Sequence, residues 1–134
     1  MKDNYLYSDL TEKIIGCAYK VFDKLGSGFL EKVYENALKI ELEKNGFKVI
    51  QQYPIKVFYD DTLVGEYFAD LLVEDKIIIE LKAATELSKA HETQLINYLR
   101  STGYQVGILI NFGDKLTIRR KVMTANYKGS QRKS

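Results

Sequence analysis

The stretch from Phe68 to Lys82 constrains the fold of this chain more than any other. Two apolar runs flank a short polar segment, which is the pattern of a β-hairpin. Each run nevertheless carries charge, Asp70 in the first and Glu80 with Lys82 in the second. Burying an unpaired carboxylate is costly, so we expect these groups to be paired, metal-bound or at the edge of a cleft. Alternation along a strand places Glu80 and Lys82 on one face.

The length of the hairpin loop decides whether the two acids meet. Asp70 faces Glu80 if Val73 pairs with Ile77, which requires a three-residue loop over 74–76. A two-residue turn would place the acids on opposite faces, because a slip of one residue inverts the facing of a strand. A bulge or local bend would bring them together again. We predict that the carboxylates converge and form a site for a hard cation with a lysine beside it.

Composition places the chain among soluble globular proteins. It has 134 residues, of which 46% are hydrophobic and 28% charged, and we expect one domain over 1–134, with a core at about 8–123 and a basic tail at 124–134. Cys17 is the only cysteine, so an internal disulfide is excluded and a reducing, cytoplasmic location is expected. No apolar run approaches the roughly 20 residues that span a bilayer, and we expect no membrane association.

The C-terminal part of the chain is strongly basic. Between Lys115 and Ser134 there are seven basic residues and no acid, although the net charge of the whole chain is only +2. Arg119 and Lys121 fall on one face of an alternating stretch. A basic end on an otherwise acidic domain suits a polyanionic partner held near an acidic cleft. For residues 128–133 alone, a solvated tail explains the charge equally simply.

Helical periodicity predicts three helices. The first is capped by Ser8 or Asp9, the second runs over about 30–45 and ends at Gly46, and the third begins after Ser88 and continues through Arg100. The second helix is expected to bury one stripe of side chains, consisting of Leu30, Val33, Tyr34, Ala37, Leu38 and Leu42.

Strand patterns occupy the rest of the chain. An antiparallel meander is predicted over 47–59, 63–73 and 76–82, with its first strand interrupted at Pro54, which suits an edge or a bend. A central strand over 104–111 and a last strand over 116–122 follow the third helix. The pattern therefore predicts a sheet of about five strands flanked by helices.

Other chemistries find little support. His91 is the only histidine, so neither a zinc site nor a serine-histidine-acid triad is well supported, and no glycine-rich phosphate loop is present. Glu31, in the first turn of the second helix, has two explanations of equal weight from spacing alone. It complements the helix dipole, or it is a further metal carboxylate aimed at the hairpin.

The order of these residues resembles the PD-(D/E)xK nuclease superfamily: a Glu in a helix, Asp-x9-Glu-x-Lys on a hairpin, and a Gln in the following helix. Within that superfamily, residues 28–34 are similar to the signature of the GxxExxY family. Stretches at 80–83, 91–99 and 107–113 also resemble that family, so the likeness covers about 10–122. One departure is Ala69, where a proline often precedes the motif aspartate.

The resemblance implies a restriction-endonuclease-like α/β (α+β) fold, with a mixed central sheet, and hydrolysis of phosphodiester bonds with Mg²⁺ or Mn²⁺. By matching position, it implies that Asp70 and Glu80 bind the metal, with the Leu81 carbonyl and Glu31 as further ligands. Lys82 would position the attacking water and stabilise charge on the phosphate, and Gln94 would orient water or substrate. Tyr98, Tyr34, Arg119 and Lys121 are expected to support the site or to bind substrate.

The residue types suit that chemistry. Mg²⁺ takes oxygen ligands and keeps several waters, so two or three carboxylates suffice. Lys82 beside two acids should stay protonated, which favours electrostatic stabilisation over a role as general base. The sequence leaves the general base and the number of metal ions open.

Two functions are therefore weighed against a third explanation. The first is an active nuclease, acting on DNA in preference to RNA. The second is a catalytically weak or inactive module that keeps the fold and binds nucleic acid or a protein partner. The third is a salt-bridge cluster with no function, which would explain Lys82 beside Glu80 but not the matching order of Asp70, Glu31 and Gln94. An apolar edge or exposed aromatic side chains could also join two copies in a homodimer.

Overall fold

A computed structural model describes residues 6–123, so the basic tail expected at 124–134 lies outside the described residues. The elements follow in the order α1 (Ser8–Leu25), α2 (Glu31–Lys44), β1 (Val49–Tyr59), β2 (Thr62–Val73), β3 (Ile77–Lys82), α3 (Lys89–Thr102), β4 (Val106–Phe112) and β5 (Leu116–Val122). None of the helices in this part of the chain combines the length and apolar character needed to cross a membrane.

The five strands form one mixed sheet in the order β1-β2-β3-β4-β5. Only β3 and β4 are parallel, and the crossover that a parallel pair requires contains α3. The other neighbouring pairs are antiparallel. This is the restriction-endonuclease-like α+β architecture that the sequence predicted.

The helices cover both faces of the sheet. One apolar cluster joins α1 and α2 to side chains such as Leu71, Ile79 and Ile108, and a second joins α3 to Leu72, Ile78 and Leu109. β4 is buried along its whole length, and this burial on both faces explains its almost continuous apolar sequence. The polar residues within β2 and β3 are therefore exceptions inside a covered sheet.

The helix boundaries correct part of the sequence prediction. Neither Ser8 nor Asp9 caps α1, because Tyr7 is the N-cap residue and makes no side-chain cap hydrogen bond. The Ser88 cap of α3 is confirmed, since the Ser88 hydroxyl accepts from the His91 backbone N–H while the His91 ring accepts from the Ser88 backbone N–H. His91 thus completes a capping box.

The buried stripe of α2 also differs from the prediction. Tyr34, Leu38 and Leu42 are fully buried, but Leu30 is 80% exposed and Val33 is also exposed. Leu30 is the N-cap residue and lies outside the helix. Two acids take part in the buried face instead, and they are Glu35 and Glu41.

The first strand is not interrupted at Pro54. β1 runs unbroken over Val49–Tyr59 and lies at the edge of the sheet, where the missing N–H of Pro54 costs no central hydrogen bond. Because β2 pairs with β3 only over Leu71–Val73, residues 53–69 of β1 and β2 pair only with each other. We call this two-stranded extension the arm.

Candidate active site

The hairpin register brings Asp70 and Glu80 together. Val73 pairs with Ile77, and Leu71 pairs with Ile79, as the three-residue loop requires. Glu74 and Asp75 both have positive φ, and the Lys76 N–H donates to the Val73 carbonyl. The three-residue loop at 74–76 therefore sets the register, and the predicted pairing is confirmed.

The two carboxylates replace backbone hydrogen bonds where β2 and β3 separate. The Asp70 N–H donates to Glu80 Oε2 at 3.0 Å, and the Leu81 N–H donates to Asp70 Oδ2 at 2.7 Å. Each acid thus binds the main chain of the opposite strand. Because a carboxylate that accepts backbone N–H groups is held in place, this exchange fixes both side chains.

The facing of β2 reverses at Asp70. Leu71 and Val73 pack on the α1 and α2 side, but Ala69 packs with Leu72 on the α3 side. Strict alternation would place Ala69 on the same face as Leu71. Asp70 therefore lies at an irregularity of the strand and not in a regular pleat.

The neighbouring strand is irregular at the same level. Gln52 lies between the Gln51–Leu71 and Tyr53–Ala69 pairs of β1 and β2, at the level of Asp70, and its φ is 57°. A left-handed backbone within a strand is uncommon for a residue other than glycine, and it is found at sites where the surrounding structure enforces it. Gln52 Nε2 donates to Glu35 Oε2 at 2.9 Å and lies 3.5 Å from Asp70 Oδ1.

Glu35 is a buried acid that the sequence reasoning did not assign to the site. Only 3% of it is exposed, and its Oε2 accepts from Gln51 Nε2 at 2.7 Å and lies 3.1 Å from Lys32 Nζ. Its position one turn after Glu31 was a signal that could have found it. Gln52 offered no such signal, because glutamine is not a residue that predicts a left-handed backbone.

Burial and mutual repulsion raise the pKa of both hairpin acids. Burial raises the pKa of Glu80 to about 8, and the charge of Asp70 adds to the effect. Burial likewise raises the pKa of Asp70 to about 6, with the charges of Glu35 and Glu31 acting in the same direction. Lys82 lowers the pKa of both groups, but it does not compensate for the loss of water around them.

The remaining predicted residues lie at different distances from this pair. Glu31 is exposed and is close enough to raise the pKa of both acids. Lys82 is half-buried and forms no ion pair within the described residues. Leu81 is buried, and its N–H is already engaged by Asp70. Over residues 6–123, no group of three or more His, Cys, Asp or Glu side chains is arranged to hold a metal ion.

Tyr34 anchors the chain just before Glu31. It is fully buried, its ring stacks on Phe112 with centroids 4.4 Å apart, and its hydroxyl donates to the Gly26 carbonyl. The Phe29 N–H donates back to the same hydroxyl at 3.3 Å. Tyr34 therefore holds the loop between α1 and α2, and its burial leaves no surface for substrate.

On the other side of the sheet, α3 contributes Gln94 and Tyr98. Tyr98 is buried, and the charges of Glu80 and Asp70 add to the effect of burial, which raises its pKa to about 12. Gln94 is half-buried and lies in the same groove as Tyr98. Arg119 and Lys121 share one face of β5, as predicted, and both lie near Glu92 of α3, with Lys121 Nζ 2.6 Å from Glu92 Oε1.

The segment after Lys82 is fixed by the side chain of Asn111. Asn111 lies opposite Lys82 in the parallel pairing of β3 and β4, and its amide makes two hydrogen bonds to the backbone of Ala84. Gly113 lies under the same segment, where an added Cβ would be 2.5 Å from the Ala84 carbonyl oxygen. The exit of β3 is therefore packed closely, and the backbone that carries Lys82 has little freedom.

These features can be compared with known proteins. A sequence model of the PD-(D/E)XK nuclease superfamily matches residues 8–122, which is most of the chain. The chain belongs to this superfamily. Among curated proteins, no sequence matches.

Four chains of solved structures resemble the fold. One is the crystal structure of SSO0001, with a TM-score of 0.57 and 18% identity over 76% of this chain. The chain covers 61% of the length of SSO0001, so the two proteins share a core and differ in extent. At this identity the likeness concerns the fold alone.

Proposed function

We propose that this member of the PD-(D/E)XK nuclease superfamily belongs to its GxxExxY family and hydrolyses phosphodiester bonds of nucleic acid, preferring DNA to RNA. The observation that carries the proposal is the pair of acids, Asp70 and Glu80, held side by side through reciprocal hydrogen bonds to the main chain. Lys82 lies on β3, the strand of Glu80, and its charge acts on both acids. We further propose one domain over 1–134, acting in the cytoplasm.

The donor set fits a divalent cation. Two partly desolvated carboxylates with raised pKa values carry more negative charge than their surroundings compensate, and a bound cation removes that imbalance. Asp70 and Glu80 would hold it, with the Leu81 carbonyl as a further oxygen donor and Glu31 reaching it directly or through water. Mg²⁺ or Mn²⁺ suits such oxygen ligands. When bound, the cation would neutralise phosphate charge and lower the pKa of the attacking water.

The side chains around the pair have separate roles. Lys82 stabilises negative charge that develops on the phosphate, while Gln94 and Tyr98 orient water and substrate from α3. Arg119 and Lys121 would contact the nucleic acid backbone from β5. We assign positioning roles to Gln52 and Glu35, because their hydrogen bond braces Asp70 from the neighbouring strand.

One observation favours a second function. Because no three acids in the described part of the chain are arranged as a metal-binding group, Glu31 would bind the cation directly only if it moved toward the hairpin. A site with only two fixed acids would suit a weak or inactive nuclease that binds nucleic acid or a protein partner. Cleavage assays separate this possibility from the first.

The test is cleavage of single-stranded and double-stranded DNA and RNA with Mg²⁺, Mn²⁺ or EDTA. We expect cleavage that depends on the metal and disappears in Asp70→Ala. Because Glu66 is an exposed acid on the same strand, Glu66→Ala serves as the matched control and should cleave like the wild type. Equal cleavage by wild type and Asp70→Ala would rule out the assigned site. Binding without cleavage would support the second function.

A further inference from the structure

An open groove lies between α3 and the arm. Its volume is about 850 Å³, and its lining includes Val57, Gly65, Tyr67, Gln94, Asn97 and Tyr98. Tyr98 connects the groove to the proposed active site, because it packs in one apolar cluster with Ala69, which precedes Asp70, and Ile78 of β3. A molecule lying in the groove therefore contacts a side chain that packs beside the strands carrying the two hairpin acids.

The charge of the groove differs from that of the acid pair. The residues that line it include Lys89 and Arg100 but no Asp or Glu. A lining with cationic side chains attracts a polyanion. The acids that would act on a phosphate lie outside this lining, so the groove suits the part of a nucleic acid strand that extends away from the reacting phosphate.

The groove also contains groups that recognise bases. Tyr67 is 49% exposed, and its ring lies 5.8 Å from that of Tyr98, tilted by 39°. Aromatic rings of this kind stack with bases that lack a neighbour, and side-chain amides such as those of Gln94 and Asn97 bond to base edges. In a continuous duplex the bases are already stacked and paired, so these groups would have no partner.

A glycine in the arm leaves room for such a ligand. At Gly65 an added Cβ would meet the Tyr67 ring at 3.3 Å and the Val57 side chain at 3.8 Å. Glycine within a strand weakens the strand, and it is found where another molecule or backbone approaches closely. The absence of a side chain at this position therefore keeps the groove open beside Tyr67.

We propose that this groove binds an unpaired segment of nucleic acid, so that the substrate of this protein is a strand with an unpaired end or loop and not a continuous duplex. The inference rests on the proposed nuclease function, and it names the substrate class for the same site. Unpaired DNA and unpaired RNA offer the same stacking chemistry, so both are included in the test.

The experiment measures binding by fluorescence anisotropy in EDTA, where metal-dependent cleavage does not occur. The probes are a single-stranded DNA, a single-stranded RNA, a duplex with an unpaired tail and a blunt duplex of the same sequence. We expect the tailed duplex, and one or both of the single strands, to bind at least about tenfold more tightly than the blunt duplex. Equal affinity for all four probes would overturn the proposal.

Three variants locate the binding. Tyr67→Ala removes the stacking ring and should weaken binding of the unpaired probes by about tenfold or more. Asn97→Ala, at an exposed helix position, tests the groove without disturbing the arm, and Gly65→Val fills the groove without removing any group. Tyr19→Ala is the matched control, because Tyr19 is 51% exposed on α1, on the opposite side of the sheet.

The outcomes separate this proposal from the nuclease function. Selective loss of unpaired-strand binding in the groove variants, with no metal-dependent cleavage by the wild type, would support the groove and contradict the nuclease. Metal-dependent cleavage by the wild type, with binding equal in the groove variants and in Tyr19→Ala, would support the nuclease and overturn the groove. Binding of a second copy of the chain at this surface, seen as dimerisation lost in Tyr67→Ala, would also overturn it.

Discussion

Asp70 and Glu80 each have two roles, one observed and one proposed. Each carboxylate completes the hydrogen bonding of the backbone on the opposite strand, and each is also a proposed metal ligand. The first role holds the side chains in place before any cation arrives. A rigid site of this kind loses little conformational entropy when a ligand binds. Substitutions around the pair should therefore affect function more than stability.

Lys82→Ala should abolish most of the cleavage while the protein stays folded. Loss of one group that stabilises developing charge costs about 10²–10³-fold in kcat, and Lys82 has no ion pair among the described residues that its removal would break. The measurement is the initial rate of cleavage together with the midpoint of urea unfolding. Lys76→Ala, in the exposed hairpin loop, is the control and should retain the wild-type rate. A Lys82→Ala rate equal to that of Lys76→Ala would contradict the assigned role.

Gln52→Gly should separate backbone strain from side-chain function. Glycine adopts a φ of 57° without the cost of about 1–2 kcal/mol that other residues bear, but the variant loses the hydrogen bond to Glu35. We expect stability within about 1 kcal/mol of wild type and Mn²⁺ affinity lowered by about tenfold, measured by urea unfolding and calorimetry. Gln51→Ala also loses a bond to Glu35 but none to Asp70, so its Mn²⁺ affinity should be near that of wild type. Equal losses in both variants would remove the positioning role from Gln52.

The hairpin formed by β2 and β3 should make the stability of the protein depend on pH. Folding raises the pKa of Glu80 to about 8 from an ordinary value of 4.5, mainly through burial. Between these values the folded protein keeps a proton that the unfolded chain releases. The stabilisation that this proton contributes is therefore fully present below about pH 4.5 and is lost as the pH rises through 8.

In EDTA, the free energy of unfolding should fall between pH 6 and pH 8 by up to about 1.4 kcal/mol per pH unit. Glu80→Gln has no titrating group at position 80 and should show a much smaller slope over the same range. The measurement is urea unfolding at several pH values. A wild-type slope as flat as that of Glu80→Gln would show that Glu80 titrates at its ordinary pKa.

Substitution of two glycines by alanine tests how closely the elements pack around them. Gly113→Ala places a Cβ 2.5 Å from the Ala84 carbonyl oxygen, and backbone cannot move aside cheaply, so we expect destabilisation of about 1–3 kcal/mol. Gly16→Ala, on the exposed side of α1 with nothing within 4 Å, should instead stabilise the protein by up to about 1 kcal/mol. Thermal unfolding of both variants decides the matter. Stability of Gly113→Ala equal to or above that of the wild type would mean that the exit of β3 is not packed as described.

Across the molecule, helices cover both faces of the sheet, and the acids Asp70 and Glu80 lie within it where β2 and β3 separate. Most of this arrangement was predictable, because apolar runs mark β2, β3 and β4, and the loop at 74–76 sets the register that pairs Asp70 with Glu80. The capping of α3 was predictable for a similar reason, since the Ser88 side chain bonds to a backbone N–H only three residues away. Such signals depend on neighbours in the sequence.

The features that escaped prediction depend on contacts between distant parts of the chain. The buried Glu35 accepts hydrogen bonds from Gln51 and Gln52 of β1, and the sequence of α2 alone does not predict those partners. Leu30 is exposed because α2 begins one residue later than the apolar pattern suggested. The left-handed backbone of Gln52 is likewise imposed by its surroundings, against its own preference.

The proposed metal site is tested most simply by the binding of Mn²⁺, measured by calorimetry at pH 7 in two buffers with different ionisation enthalpies. If Asp70 and Glu80 hold the cation, wild type should bind Mn²⁺ and release protons, because part of the Glu80 population is protonated at that pH before binding. Glu80→Gln should lose both the binding and the proton release, and Glu66→Ala should retain both. Binding by Glu80→Gln with unchanged affinity, or no binding by wild type, would contradict the account.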